Sequence, residues 1–223
     1  MLSAYLFTTT LLVAQNQPKK EYFAGECSKT DISVDGKLDE PAWMKANWQD
    51  DFIQFEPSEG KNPGQKTEFA ILLDENYFYA GFKCWDTSPD SIVQRLTRRD
   101  AIDGDLVAIQ IDSYFDKRTA FSFFVNAAGT KQDFIISNDG GNEDNTWDPI
   151  WLAKTSRDEL GWYAEMRIPL TQLRFEGNSE QTWGLQLGRM LFRKQDVSIW
   201  QPASKKSAGW VSQFGELKGL KNM

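Results

Sequence analysis

Tryptophan is the residue type that offers the most chemistry in this sequence, because nine occur in 223 residues. Trp147 and Trp151 bracket an Asp-Pro pair, Trp200 precedes Gln201, and Trp210 follows a loop rich in Lys, Ser and Gly. An indole beside polar neighbours offers a flat apolar face on which a sugar ring can stack. The alternative is that these rings fill the core, where most large aromatic side chains lie. Trp200, Trp147, Trp151 and Gln201 are therefore candidate ligand-binding residues.

A glycine-bearing loop rich in carboxylates and amides, 138–145, is a second candidate site. Ca²⁺ takes several oxygen ligands from such side chains. The sequence predicts Asp139, Asn142 and Asp144 as the ligands of a calcium ion. Gly141 occupies the place of the second ligand, so the segment does not follow the helix-loop-helix calcium pattern. The alternative is an ordinary solvated loop.

Glu165 is the best single candidate for an inward-facing acid, because apolar residues flank it on both sides. Glycoside hydrolysis requires two carboxyl groups that face one cleft. Nothing in the sequence supplies the second acid, so we favour a structural glutamate paired with Arg167 or Arg189. The sequence thus predicts a binding protein and not an enzyme.

Composition excludes several other classes of function. Histidine is absent, so no His-based catalytic triad, His-metal site or His-ligated haem can form. The net charge of −7 argues against a nucleic-acid partner, which requires a basic patch. Two cysteines cannot build a four-cysteine metal site. Cys27 and Cys84 could pair in an oxidising compartment, or remain as buried thiols.

The N-terminus has features of a secretory signal. Leu6–Ala14 is a short apolar run, and Ala14 provides a small residue before the expected cleavage at Gln15. No Lys or Arg precedes the run, and the alternative is a simple tail. We expect a signal peptide over 1–14, a polar lead-in over 15–21 and one domain over 22–220.

Short alternating segments predict that this domain is all-β. Residues 67–74 place Phe69, Ile71 and Leu73 on one face by period two. The run 77–85 follows after the short polar turn Glu75-Asn76, so the two runs are typical of a β-hairpin. About ten such segments follow one another with Gly, Asn and Asp between them. We predict an antiparallel β-sandwich of the jelly-roll or immunoglobulin-like kind, with a few short helices. One helix is expected over 38–46, with Trp43 inserted into the core.

Six motifs in order resemble the carbohydrate-binding module family 9-like domains. They are 32–43 (Ile-Ser-Val-Asp-Gly-Lys-Leu-Asp-Glu-Pro-Ala-Trp), 74–80 (Asp-Glu-Asn-Tyr-Phe-Tyr-Ala), 105–112 (Asp-Leu-Val-Ala-Ile-Gln-Ile-Asp), 123–126 (Phe-Phe-Val-Asn), 161–169 (Gly-Trp-Tyr-Ala-Glu-Met-Arg-Ile-Pro) and 183–189 (Trp-Gly-Leu-Gln-Leu-Gly-Arg). The resemblance implies a non-catalytic β-sandwich that binds an oligo- or polysaccharide in polysaccharide catabolism.

The same resemblance bears on the site residues. In sugar-binding members two tryptophans clamp a terminal sugar, and Trp200 matches one of them. The segment 101–104 that should carry the other has no aromatic residue, and Phe124 stands where the family has an arginine. The resemblance therefore implies a different clamp, with Trp147 or Trp151 facing Trp200. A related superfamily of sandwiches binds haem through Met and His, which the absence of His argues against here.

Further motifs resemble a subgroup found at the front of large secreted or outer-membrane proteins of unknown function. They are 98–100 (Arg-Arg-Asp), 116–120 (Asp-Lys-Arg-Thr-Ala), 147–151 (Trp-Asp-Pro-Ile-Trp) and 173–175 (Leu-Arg-Phe). Such proteins continue past a motif like 214–220 into a β-barrel-like region, whereas this sequence ends at Met223. The subgroup implies a secreted, periplasmic or outer-membrane location in a Gram-negative bacterium. It also leaves an alternative function open, a structural or assembly domain for such a barrel without affinity for sugars.

Overall fold

The structure is a computed structural model, and it describes residues 18–175, 177 and 180–221. The expected signal peptide over 1–14 lies outside the described residues. Among them, no helix is long and apolar enough to cross a membrane.

The described chain forms strands that are linked by short turns. In chain order they are β1 (Glu21–Phe23), β2 (Gly25–Glu26), β3 (Ile53–Glu56), β4 (Thr67–Leu73), β5 (Tyr77–Trp85), β6 (Leu106–Asp112), β7 (Ala120–Asn126), β8 (Lys131–Ser137), β9 (Asn142–Asp144), β10 (Leu152–Arg157), β11 (Gly161–Pro169), β12 (Glu180–Leu191), β13 (Asp196–Ile199) and β14 (Gly215–Lys221). The helix α1 spans Pro41–Lys45, and five single turns of 3₁₀ helix complete the regular structure of the described residues.

Two sheets pack face to face. The larger sheet has nine strands in the order β1-β14-β12-β6-β7-β8-β9, with β13 paired to β12 and β3 paired to β13. The smaller sheet has five strands in the order β10-β11-β5-β4-β2. Pairing is antiparallel except for β1 with β14 and β2 with β4. The predicted all-β sandwich is thereby confirmed.

Period-two alternation places the core between the sheets. Val107, Ile109 and Ile111 of β6 point inward and are completely buried, and Phe69 and Ile71 of β4 are buried in the same cluster. Because successive side chains of a strand point to opposite faces, the residues between these positions face outward. What covers those outer faces determines where a ligand could bind.

The outer face of the smaller sheet is covered by the segment 32–48. Trp43 of α1 is completely buried there, as the sequence analysis predicts, although α1 is shorter than the expected 38–46. Gly81 of β5 permits this close approach, because an added Cβ would lie 3.1 Å from the Trp43 ring. On this outer face the space above Gly81 is thus filled by the Trp43 side chain of the covering segment, and not by a side chain of the sheet.

The outer face of the larger sheet is covered over only part of its area. Val211 and Phe214 pack on outward-facing residues of β7 and β8, among them Phe134 and Ile136. The strands from β7 across to β3 leave a groove beside this cluster, lined mostly by apolar side chains. This groove is the natural place to look for a functional site.

The two cysteines are both free thiols. Cys84 of β5 lies opposite Thr67 at one end of β4, whereas the backbone N–H of Cys27 bonds to Leu73 at the other end. Six residues of strand separate these ends, which corresponds to about 20 Å. A disulfide requires Cα atoms within about 7 Å, so the fold excludes the pairing that the sequence left open.

Candidate functional site

The groove on the outer face of the larger sheet has a volume of about 330 Å³. It crosses five neighbouring strands, β7, β6, β12, β13 and β3. Its lining residues are Phe55, Leu106, Ala108, Gln110, Phe124, Gln186, Gly188, Arg189, Met190, Val197, Ile199 and Trp210. Nearly all are spaced two apart along their strands, which is the pattern of one sheet face.

Aromatic side chains form the walls of the groove. The rings of Phe55 and Trp210 lie 5.6 Å apart, centroid to centroid, at an interplanar angle of 57°. Phe124 lies at the other side and stacks on Phe134 at 5.3 Å. Trp210 is neither buried nor fully exposed, so part of its ring faces solvent. This partly exposed indole is the feature of the groove best suited to stacking.

Trp210 is held in place by hydrogen bonds at both ends of the residue. Its Nε1 donates to Oε1 of Gln110 on the groove floor at 2.8 Å. Its backbone N–H donates to Oδ1 of Asp139 at 3.0 Å, and the N–H of Ser212 donates to the same oxygen at 2.7 Å. Gly140 has a φ of +100°, and a Cβ there would lie 2.9 Å from Cβ of Trp210. The ring is therefore presented by a preorganised loop.

This arrangement gives Asp139 a structural role that the calcium prediction for the same loop did not include. The Asp139 carboxylate accepts backbone N–H groups, as a structural aspartate does. Asp144 accepts the N–H and the hydroxyl of Thr146, and Asn142 is an exposed residue of β9. Over the residues that the structure describes, no group of three or more Asp, Glu, His or Cys side chains could hold a metal ion. Asp139 is a support for Trp210.

Two glutamines supply polar groups to the groove floor. Gln110 donates to the Ser122 hydroxyl at 3.3 Å while it accepts the Trp210 indole N–H. Gln186 donates to the carbonyl oxygen of Gln201 and accepts its N–H, both at 2.9 Å. An amide oxygen has two lone pairs and an amide nitrogen two donors, so the Gln110 amide has further capacity toward a ligand hydroxyl.

A second pocket, of about 530 Å³, adjoins the groove. Ile53 lines it, two residues along β3 from Phe55, and Ser212 lines it, two residues along the chain from Trp210. The remaining lining residues are Lys19, Glu59, Gly60, Gln201, Pro202, Ala203, Ser204 and Gln213. The sequence candidate Gln201 lies here, but its side chain is buried and accepts the Lys20 N–H at 2.7 Å.

Trp200 is not at the surface, which corrects the first-ranked site prediction. Its side chain has 0% exposure, its Nε1 donates to Asp51 at 3.0 Å, and its ring meets Phe69 of the opposite sheet edge-on at 5.6 Å. Ile199 lines the groove, so alternation directs its neighbour to the core. In this structure the Trp200 ring has no free face for a sugar.

The other two tryptophan candidates also lie on the core side of the larger sheet. Trp151 has 1% exposure, and its Nε1 donates to Asp133 at 2.7 Å. Trp147 is partly buried against Phe121 and Phe123, at centroid distances of 5.2 and 5.5 Å. Both phenylalanines belong to the core between the sheets. The predicted clamp of Trp147 or Trp151 against Trp200 therefore does not flank the groove.

Glu165 is a structural residue, but its partners differ from those expected. The side chain is completely buried beneath the segment 32–48 and accepts the backbone N–H groups of Asp35 and Gly36 and the indole N–H of Trp43. Burial raises the pKa of Glu165 to about 7. It lies in β11, an interior strand of the smaller sheet, and a completely buried carboxyl cannot reach a substrate.

Comparison with known proteins places the fold. No protein-family model matches the chain, and no curated protein matches it. A carbohydrate-binding module of family 9 from Caldicellulosiruptor kristjanssonii, solved with glucose, aligns with a TM-score of 0.65 and 18% identity over 89% of this chain and 95% of that one. The same module solved with cellotriose aligns equally well, over 89% and 93%.

A third structure, described as a "putative carbohydrate-binding protein" from Bacteroides uniformis, aligns with a TM-score of 0.70 at 13% identity, over 90% of this chain and 99% of that chain. Such low identities show a shared fold. The chain thus has the β-sandwich fold of family 9 carbohydrate-binding modules, which confirms the resemblance predicted from the sequence.

Proposed function

We propose that this domain binds a saccharide in the groove on its outer sheet face and does not cleave it. The observation that carries the proposal is the Trp210 ring, partly exposed at the groove wall and fixed by Asp139 and Gln110. Sugar rings carry C–H groups on one face that pack on an indole, and hydroxyls at the rim that hydrogen-bond to amides. A ring held in place before binding reduces the entropy lost on association.

The lining of the groove supports binding without catalysis. The described lining residues include no aspartate or glutamate. Hydrolysis of a glycosidic bond requires two carboxyl groups about the scissile bond. We therefore expect no turnover. For the affinity we expect the micromolar to millimolar range, about −8 to −4 kcal/mol.

Gluco-oligosaccharides are the first ligands to test, because glucose and cellotriose are bound in the structures of similar fold. The resemblance to exported proteins extends the proposal to polysaccharide catabolism outside the cytoplasm. Export through a signal peptide over 1–14 predicts that the exported protein begins at Gln15. Mass spectrometry of its N-terminal peptide would test this. An exported chain that keeps Met1 would contradict it.

Substitution of Trp210 by alanine should weaken saccharide binding at least about tenfold, which is about 1.4 kcal/mol, because the stacking face is lost. Isothermal titration calorimetry with cello-oligosaccharides measures the change. Phe23→Ala is a matched control, since Phe23 is an aromatic residue of β1 with 57% exposure that does not line the groove.

The control variant should bind like the wild type. If Trp210→Ala and the wild type bind equally, the groove is not the binding site. If no saccharide in a broad glycan panel binds the wild type, the proposed function is wrong, and the structural or assembly role is the alternative to test next.

A further inference from the structure

The groove is long compared with a single sugar ring. It crosses five strands from Phe124 on β7 to Phe55 on β3. Neighbouring strands are about 4.8 Å apart, so the four intervals span about 19 Å. A site built for one terminal sugar needs only a compact slot, whereas this length suits a chain of several sugar units.

The second pocket continues the same surface beyond the aromatic wall. Ile53 and Phe55 share one face of β3, and they line the second pocket and the groove respectively. Gln186 of the groove floor is bonded to the backbone of Gln201, which lines the second pocket. The Phe55–Trp210 pair therefore stands between two depressions of one continuous face.

The two depressions differ in chemistry, and the difference suits a single polysaccharide chain that is bound across both. The groove carries aromatic rings and the Gln110 amide, whereas the described lining of the second pocket has no aromatic residue. The second pocket offers instead the Lys19 ammonium and the Ser212 hydroxyl. Lys19 uses one of its three donors on the Ser212 carbonyl oxygen, at 2.8 Å. Such groups serve hydroxyls that extend from a ring already stacked in the groove.

We propose that the groove and the second pocket together bind an extended, linear polysaccharide along its length, at internal positions of the chain as well as at its ends. This inference rests on the proposed saccharide-binding function. The Phe55–Trp210 pair forms the wall between the two depressions, and the polysaccharide stacks on it where it passes from one depression to the other. Lys205, whose ammonium lies 5.2 Å above the Phe55 ring and pairs with Glu56, adds a donor at this crossing.

Titration with cello-oligosaccharides of increasing length tests the proposal. Affinity should rise at least about tenfold, or about 1.4 kcal/mol, from cellobiose to cellohexaose, because the longer chain reaches both depressions. Reduction of the terminal sugar to its alditol should leave the affinity of cellohexaose unchanged. Equal affinity for short and long chains, or loss of binding on reduction, would show recognition of a chain end and overturn the proposal.

Ser212→Tyr, which fills the second pocket, should lower the affinity for cellohexaose and leave that for cellobiose unchanged. Ser91→Tyr, at an exposed serine that lines neither depression, is its matched control. Lys19→Ala, which adds no bulk, should show the same length-selective loss if the tyrosine variant is unstable. Loss at every length in either variant would contradict the assignment. Failure of the wild type to bind any length would instead remove the proposed function itself.

Discussion

Replacement of Trp200 by alanine should lower the free energy of unfolding by about 3–5 kcal/mol, the usual effect of deleting a buried large aromatic side chain. The indole is completely buried between the sheets, against Phe69, and its Nε1 bonds to Asp51. In a protein of this size such a loss lowers the melting temperature by about 10 °C. Urea denaturation followed by circular dichroism measures the free energy directly.

Gly215→Ala provides an independent test of the same packing. An added Cβ would lie 2.7 Å from the Trp200 ring and 2.9 Å from the Lys20 carbonyl oxygen, so this small change should also destabilise the fold. Trp200→Phe, which keeps most of the apolar volume, should fold and bind saccharide like the wild type. A Trp200→Ala protein with wild-type stability would contradict the buried position of Trp200. A Trp200→Phe protein that folds but has lost its affinity would show that Trp200 belongs to the binding site.

The sandwich could be predicted because its signals are local. The period-two placement of Phe69, Ile71 and Leu73 predicts β4, and the aromatic-rich run 77–85 predicts β5. The short polar turn between the two runs predicts their hairpin. The Pro-Ala-Trp motif identifies α1 and the buried Trp43. Each of these signals lies within about ten residues and rests on the periodicity of backbone geometry.

The binding surface could not be predicted in the same way, because it is assembled from distant segments. Phe55, Gln110 and Trp210 meet only when β3, β6 and the loop before β14 come together. In the sequence Trp210 is a tryptophan beside a loop, and so is Trp200, so the two cannot be told apart. The difference is which sheet face each residue occupies, and that depends on the register of a short strand, β13.

The acidic loop shows a related limit of composition. Asp139 has the side chain of a calcium ligand, and the glycines and amides around it fit that reading. Its oxygen instead accepts two backbone N–H groups from residues about 70 positions further along the chain. Oxygen-rich loops serve as supports for other loops as readily as for ions, and only the fold determines which donors face them.

Glu165 should make the stability of this protein fall as pH rises. Burial raises the pKa of this carboxyl from its ordinary 4.5 to about 7 in the folded protein, and the nearby Glu40 carboxylate acts in the same direction. Between these values the folded state holds a proton that the unfolded state has released, so each increase in pH favours unfolding. The expected loss from pH 4.5 to above pH 7 is about 3 kcal/mol.

Measurement of the unfolding free energy by urea at pH 5 and pH 8 gives this difference. Glu165→Gln cannot titrate, so the variant should lose most of the decline, while Glu159→Gln, at an exposed position in the turn before β11, should keep it. Burial also raises the pKa of Asp112, to about 6, so a smaller decline at the acidic end of the range should persist in both variants. Stability that rises between pH 5 and pH 8, or a Glu165→Gln variant with the full decline, would show that Glu165 is ionised in the folded state. Its three N–H donors, from Asp35, Gly36 and Trp43, would then outweigh the effect of burial and hold the covering segment through a charged carboxylate.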